Sequence, residues 1–252
     1  MKTRQEGPAV ELVLEPPAGK PPTLEKQVLG QLEARLVELA RQPPRAVILS
    51  SASAKYFCVG ADVNAVRDLH AGSIGAWVRR GHRVFNRLED LPCPVLAVVS
   101  GYALGGGLEL ALAADFILAT PDAVFGQTEA KLGLVPGWGG TWRLARRVGA
   151  ARAKSLFFTG ELVDAATAHK LGLVDFVGTA PELRAEAARL VSRLAENSAP
   201  ALAAYKKILS ELDRAARAQC AGAEAAASRD CLSSPDTRRR VDAFLNRPRP
   251  TR

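Results

Sequence analysis

Apolar residues recur with two periods along the first 180 positions. Short, mainly apolar runs of strand length occur at 10–14 (VELVL) and 45–51 (RAVILSS). Between them, LEKQVLGQLEARLVELA carries Leu24, Val28, Leu32, Leu36 and Leu39 at helical spacing. The helical period returns through Ile74, Trp77, Val78, Phe85 and Leu88. PCPVLAVVSG then reads as a buried strand, GGLELALAAD as a short buried helix and FILAT as a further strand. Two more helical segments follow TWRLARRVG, and GLVDFVG at 172–178 reads as a last strand. Such alternation predicts an α/β core. From about Pro181 the pattern is nearly all helical, with SAPALAAYKKILSELDRAARAQC and PDTRRRVDAFLNR as main pieces, each opened by a proline. A core over 1–190 and a helical region over 191–252 are therefore expected.

Composition narrows the classes. Of 252 residues, 48% are hydrophobic and 24% charged, which fits a globular chain and not a disordered one. The net charge of +8 suits a polyanionic partner: nucleic acid, an acidic membrane surface or a phosphorylated small molecule. Most of the positive charge is spread along helix faces, as in RAEAARLVSRLAE, and only Arg238–Arg240 form a tight cluster. The four cysteines make no C-x-x-C pair and have no histidine at metal spacing, so neither a zinc site nor a disulfide framework is expected. MKTRQEGPAVELVL has no apolar signal core, and Glu109 and Asp115 break the longest apolar region. These features predict a cytoplasmic protein with no membrane partner.

Candidate chemistry centres on GYALGGGLELALAADF, residues 101–116. Its glycines do not fit G-x-G-x-x-G, GLVPGWGGT lacks the lysine of a P-loop, and no G-x-S-x-G elbow occurs. Glycine at a helix start near Gly106 lets backbone N–H groups approach a ligand, as an oxyanion hole requires; it also permits close helix-to-strand packing. Glu109 falls at about the third helical position among leucines and alanines, with no Ser or Thr cap nearby. Burying a carboxylate there is costly unless it is paired or protonated, which points to use in chemistry. Glu129, in FGQTEAKLGLVPGWGGT, supplies a second carboxyl, and two carboxyls allow one to take a proton while the other gives one. In SSASAKYFCVGADVNAV, Lys55 beside a Gly-Ala-Asp turn suits a phosphate-bearing ligand.

Taken in order, RAVILSSASAKYFCVGAD, LPCPVLAVVSGYALGGGLELALAADF, FGQTEAKLGLVPGWGGTWRLARRVG and LFFTGELVDAATAHKLGLVDFV resemble the crotonase superfamily, also called the enoyl-CoA hydratase/isomerase family. The likeness resumes more weakly at VDAFLNRPRP. It implies a spiral of ββα turns followed by a C-terminal helical trimerisation region, assembled as a homotrimer or as a hexamer built from two trimers. It further implies an acyl-CoA thioester substrate, with coenzyme A part of that substrate and no separate cofactor or metal. By position in the motifs, the N–H groups of Ala61 and Gly106 form the oxyanion hole. Glu109 deprotonates the attacking water, Glu129 protonates the α-carbon, and the Gly137 N–H helps hold the water. Lys55 and the turn Ala61, Asp62, Val63 and Asn64 contact CoA.

There are departures from the family pattern. PPAGKPPTLEK lacks the asparagine many members carry, and Arg239 and Arg240 stand where an acidic residue and a glycine are usual. The resemblance implies syn addition of water to a 2-enoyl-CoA. Isomerisation or decarboxylation is the alternative within the superfamily, but an isomerase works with the Glu129 position alone, and hydration uses both carboxyls. An RNA-binding protein of this fold is the alternative of another class. No aromatic-interleaved basic motif supports it, and Trp77, Trp138 and Trp142 suit core packing or a pocket wall, so no nucleic-acid partner is expected.

Overall fold

The computed structural model describes residues 1–17 and 19–247, so the last three residues of VDAFLNRPRP lie outside the described residues. The chain opens with β1 (Lys2–Glu6) and β2 (Ala9–Leu14), then α1 (Lys26–Arg41). β3 (Ala46–Ser51) and β4 (Tyr56–Cys58) lead to α2 (Val63–Arg67) and α3 (Ile74–Glu89). β5 (Val95–Val99) and β6 (Tyr102–Leu104) lead to α4 (Gly106–Leu112). β7 (Phe116–Ala119) and β8 (Val124–Gly126) lead, through a 3-10 turn at Glu129–Leu132, to α5 (Gly140–Val148) and α6 (Ala150–Thr159). β9 (Val163–Asp164), α7 (Ala165–Lys170), β10 (Phe176–Val177), α8 (Ala180–Glu196), α9 (Ala199–Ser233) and α10 (Pro235–Leu245) complete it.

Two sheets result. The larger has the order β1-β2-β3-β5-β7-β10 and the smaller β4-β6-β8-β9. Three successive pairs, β3–β4, β5–β6 and β7–β8, each put their first strand in the larger sheet and their second in the smaller before a helix returns the chain. This is the expected spiral of ββα turns. Within it, the strands of one sheet run parallel, while β1 on β2 and β9 on β8 are antiparallel. Strands β3 and β5 are apolar on both faces because helices or the other sheet cover both, as parallel strands require. One contiguous core runs between α1, α3 and the two sheets, and Leu183, Ala187 and Val191 of α8 cover the outer face of the larger sheet.

Several local expectations are corrected. Leu24 is buried ahead of α1, whose inward face uses Leu29, Leu32 and Leu36. Glu109 is the fourth residue of α4, not the third. Only Phe176 and Val177 of GLVDFVG pair, in parallel with β7. The helical piece ending at Cys220 continues to Ser233 as one helix of 35 residues. Helix α8 packs on the larger sheet through Leu183, Ala187 and Val191, and α9 begins at Ala199.

Candidate active site

The parallel strands β4, β6 and β8 end side by side, and the chain leaves their C-terminal ends through the three segments singled out by the sequence. Ala61–Asn64 follows β4, the glycine run and Glu109 follow β6, and Glu129 follows β8. All three line one cleft of about 780 Å³, within the usual range for small-molecule sites.

The glycines divide their tasks. Gly105 caps α4 at φ +51, a backbone region that favours glycine, and its N–H donates to the Gly126 carbonyl at 2.8 Å. A side chain on Gly107 would run into the Cys58 carbonyl, so that glycine serves the packing of α4 on β4. Gly106 faces the cleft. Among the described residues, neither its N–H nor that of Ala61 donates to a protein acceptor. Ala61 precedes Asp62, whose carboxylate caps α2 by accepting the Asn64 N–H at 3.0 Å.

Glu109 is 2% exposed. Its Oε1 accepts the N–H groups of Trp138 at 2.8 Å and Gly140 at 2.7 Å. Burial, followed by the nearby charges of Glu224 and Glu129, pushes the Glu109 carboxyl well above its ordinary value; the two N–H groups offset this only in part. Glu129 opens the 3-10 turn and is half-buried. The Gln127 side chain, with its amide nitrogen turned toward Glu129, donates to both carboxylate oxygens at 3.0 and 2.9 Å. Burial pushes the Glu129 carboxyl up to about 7. Both carboxyls on the cleft are thus held above their ordinary values, chiefly by burial.

Trp138 forms the floor. It is fully buried, with Trp77 at 4.5 Å between ring centroids and Phe85 edge-on at 5.6 Å. Its indole fits only because Gly81 of α3 and Gly106 have no side chain there; a Cβ on Gly106 would lie 2.6 Å from the ring. Trp142 instead packs among the guanidinium groups of Arg143, Arg146 and Arg217. Gly137 is buried on the cleft wall, and its N–H has no protein acceptor among the described residues.

Asp62, Val63 and Asn64 line the cleft with Ala61, whereas Lys55 does not. Lys55 is exposed, its ammonium 5.5 Å from the Tyr56 ring centroid. Lys131, Arg240 and Arg247 carry positive charge on the cleft wall. Four residues about the site escape sequence reasoning: Gln127, Arg143, His82 and Glu224. Gln127 stood in the quoted FGQTE stretch, two residues before Glu129. Arg143 is buried and holds the Trp138 carbonyl at 2.8 Å. Glu224, in AGAEAAASRD, reads as a solvated helical glutamate, and its alanine neighbours were the one available sign of burial.

Stacked ββα turns thus bring the Ala61 and Gly106 N–H groups, which have no protein acceptor among the described residues, and the carboxyls of Glu109 and Glu129 to one cleft. The model of the enoyl-CoA hydratase/isomerase family matches residues 20–251, and the chain belongs to that family. Over 220 residues it is 36% identical to a short-chain-enoyl-CoA hydratase of Clostridium acetobutylicum, covering 87% of this chain and 82% of that one. Over 206 residues it is 35% identical to a crotonyl-CoA hydratase of Syntrophomonas wolfei, covering 80% and 77%. Among solved structures, an enoyl-CoA hydratase from Bacillus anthracis superimposes with a TM-score of 0.79 at 30% identity, covering 97% and 95% of the two chains. One from Bacillus halodurans reaches a TM-score of 0.89 over 96% and 98%; at 22% identity it speaks for the fold alone.

Proposed function

We propose that the protein is an enoyl-CoA hydratase that adds water across the double bond of a 2-enoyl-CoA thioester. The observation that carries this reading is the meeting of Glu109 and Glu129 on one cleft, with Glu109 held by two backbone N–H groups. The Ala61 and Gly106 N–H groups receive the thioester oxygen as it gains charge, a contribution of about 10²–10³ in rate for each donor. Glu109 takes a proton from water as its oxygen bonds to the β-carbon, and Glu129 gives a proton to the α-carbon. The Gly137 N–H holds the water. Each positioned acid or base contributes about 10²–10⁴.

CoA enters as part of the substrate, along Asp62, Val63 and Asn64. Its phosphates suit Lys131, Arg240 and Arg247 on the cleft wall and Lys55 beyond it. The protein acts in the cytoplasm; no described helix is long and apolar enough to cross a membrane. It assembles as a trimer or a pair of trimers, supported by Tyr205, Ile208, Leu209 and Leu212, an exposed apolar stripe at helical spacing on α9.

The test is loss of the enoyl-thioester absorbance with short, long, branched and aromatic 2-enoyl-CoA substrates. Hydration of at least one by the parent is expected, with Glu109→Gln and Glu129→Gln each slower by at least about 10²-fold. Parent-like hydration by both variants would remove the reading.

A further inference from the structure

The first N–H groups of a helix have no partner inside it and must find one elsewhere. At the start of α5 they are shared between two carboxylates from distant elements. The N–H groups of Trp138 and Gly140 go to Glu109 Oε1. Those of the intervening Gly139 and of Thr141 go to Glu224, at 2.8 Å on Oε2 and 3.2 Å on Oε1. The Thr141 hydroxyl donates to Oε1 at 2.5 Å, and His82 Nε2 of α3 lies 2.8 Å from Oε2. Glu224 is 3% exposed, and both its oxygens are engaged by donors.

Successive peptide planes in this turn cannot reorient independently. The plane carrying the Gly139 N–H also carries the Trp138 carbonyl, which Arg143 grips from the other side. Fixing alternate N–H groups on Glu224 therefore fixes the direction of those left for Glu109. Gly139, at φ +95, permits the bend that sends neighbouring N–H groups to opposite sides. We propose that Glu224 is a positioning residue for Glu109: through the 138–141 turn, the C-terminal helical region sets the placement of the Glu109 carboxylate that takes the proton from the water adding to the β-carbon. The proposal rests on the hydratase reading above.

The surroundings favour a hydrogen-bonding task for Glu224. Burial opposes its charge, but the bonds from His82, Thr141 and Gly139 outweigh burial and hold its carboxyl below the ordinary range. His82, Cys220 and Glu224 lie close enough to share a metal ion. The Glu224 oxygens, however, face N–H and O–H donors that a cation would repel. Burial and the Glu224 charge also push the Cys220 thiol up to about 12, so it keeps its proton.

The experiment compares crotonyl-CoA hydration with exchange of the butyryl-CoA α-proton in deuterated water, the second needing Glu129 and the oxyanion donors but not Glu109. Glu224→Gln should lower hydration kcat by roughly 10²-fold, the scale of a misplaced catalytic group, while KM and α-exchange stay within about threefold. Thr141→Val, which keeps the shape and removes one bond to Glu224, should shift kcat alone in the same direction by a smaller factor. It carries the test if Glu224→Gln does not fold. Leu232→Ala loosens the same helix on α3 while leaving every hydrogen bond of the turn in place, and should lower Tm without changing kcat. Parent-like kcat in Glu224→Gln, or in Thr141→Val where only that variant folds, overturns the proposal. So does an equal fall of hydration and exchange in Glu224→Gln, or a loss of kcat in Leu232→Ala matching that variant. Glu109→Gln is measured alongside. If it is inactive while Glu224→Gln is parent-like, positioning alone fails; if Glu109→Gln hydrates at the parent rate, the hydratase reading fails and takes the proposal with it.

Discussion

Gly60 and Gly106 face each other so closely that a Cβ built on Gly60 would lie 2.8 Å from the Gly106 nitrogen. The same atom would lie 3.1 Å from the Leu104 carbonyl oxygen, and Gly60 sits at φ +89. Any side chain at this point presses on the N–H proposed to receive the thioester oxygen.

Gly60→Ala should therefore reduce hydration kcat by about 10²-fold, as loss of one oxyanion donor does. Steady-state kinetics on a variant whose circular dichroism matches the parent checks this. A rate within about tenfold of the parent would show that the Ala61 and Gly106 donors do not act as a pair.

The two glutamates should separate by isotope exchange. With a saturated acyl-CoA in deuterated water, Glu109→Gln should still incorporate deuterium at the α-carbon, because Glu129 and both donors remain. Glu129→Gln should not. Mass spectrometry reads the outcome, and the reverse pattern would exchange their roles.

Stability should depend on pH through Glu129. Its carboxyl is raised from 4.5 to about 7, so the folded chain binds that proton more tightly than the unfolded one. The resulting stability is present below 4.5 and is lost as pH rises to about 7. Glu129→Gln escapes the loss. The Tm of the variant relative to the parent should be higher at about pH 8 than at about pH 5. A gap that is constant or narrows with pH contradicts the assigned burial cost.

Light scattering at micromolar concentration should find the parent as a trimer or hexamer. Ile208→Asp with Leu212→Asp, placed on the exposed apolar stripe of α9, should yield smaller species. A monomeric parent would leave that stripe unexplained and remove the proposed assembly.

What the sequence made legible was decided by locality. Strands β3 and β5 could be read because both their faces are apolar, and α4 because its run of buried residues follows a glycine cap. β1 could not, since Lys2–Glu6 is polar and exposed throughout and pairs only as an edge strand. Glu109 stood out against its apolar neighbours, whereas Glu129 gained weight only as a second carboxyl beside it. The environment of Glu224 comes from a turn 85 residues away in the chain, and no local pattern records it. Gln127 was likewise visible as a residue but not as a partner, because the strand-to-turn geometry after β8 is what aims it at Glu129.

Each group at the site follows its own strand of the smaller sheet: Ala61 after β4, Gly106 and Glu109 after β6, Glu129 after β8. Neighbouring strands are about 4.8 Å apart, so the sheet acts as a ruler that spaces the groups proposed to meet the thioester. Each division is served by a separate crossover. Residues can be exchanged at one mark of the ruler while the other marks keep their spacing, which lets a single scaffold be refitted for a different reaction one loop at a time.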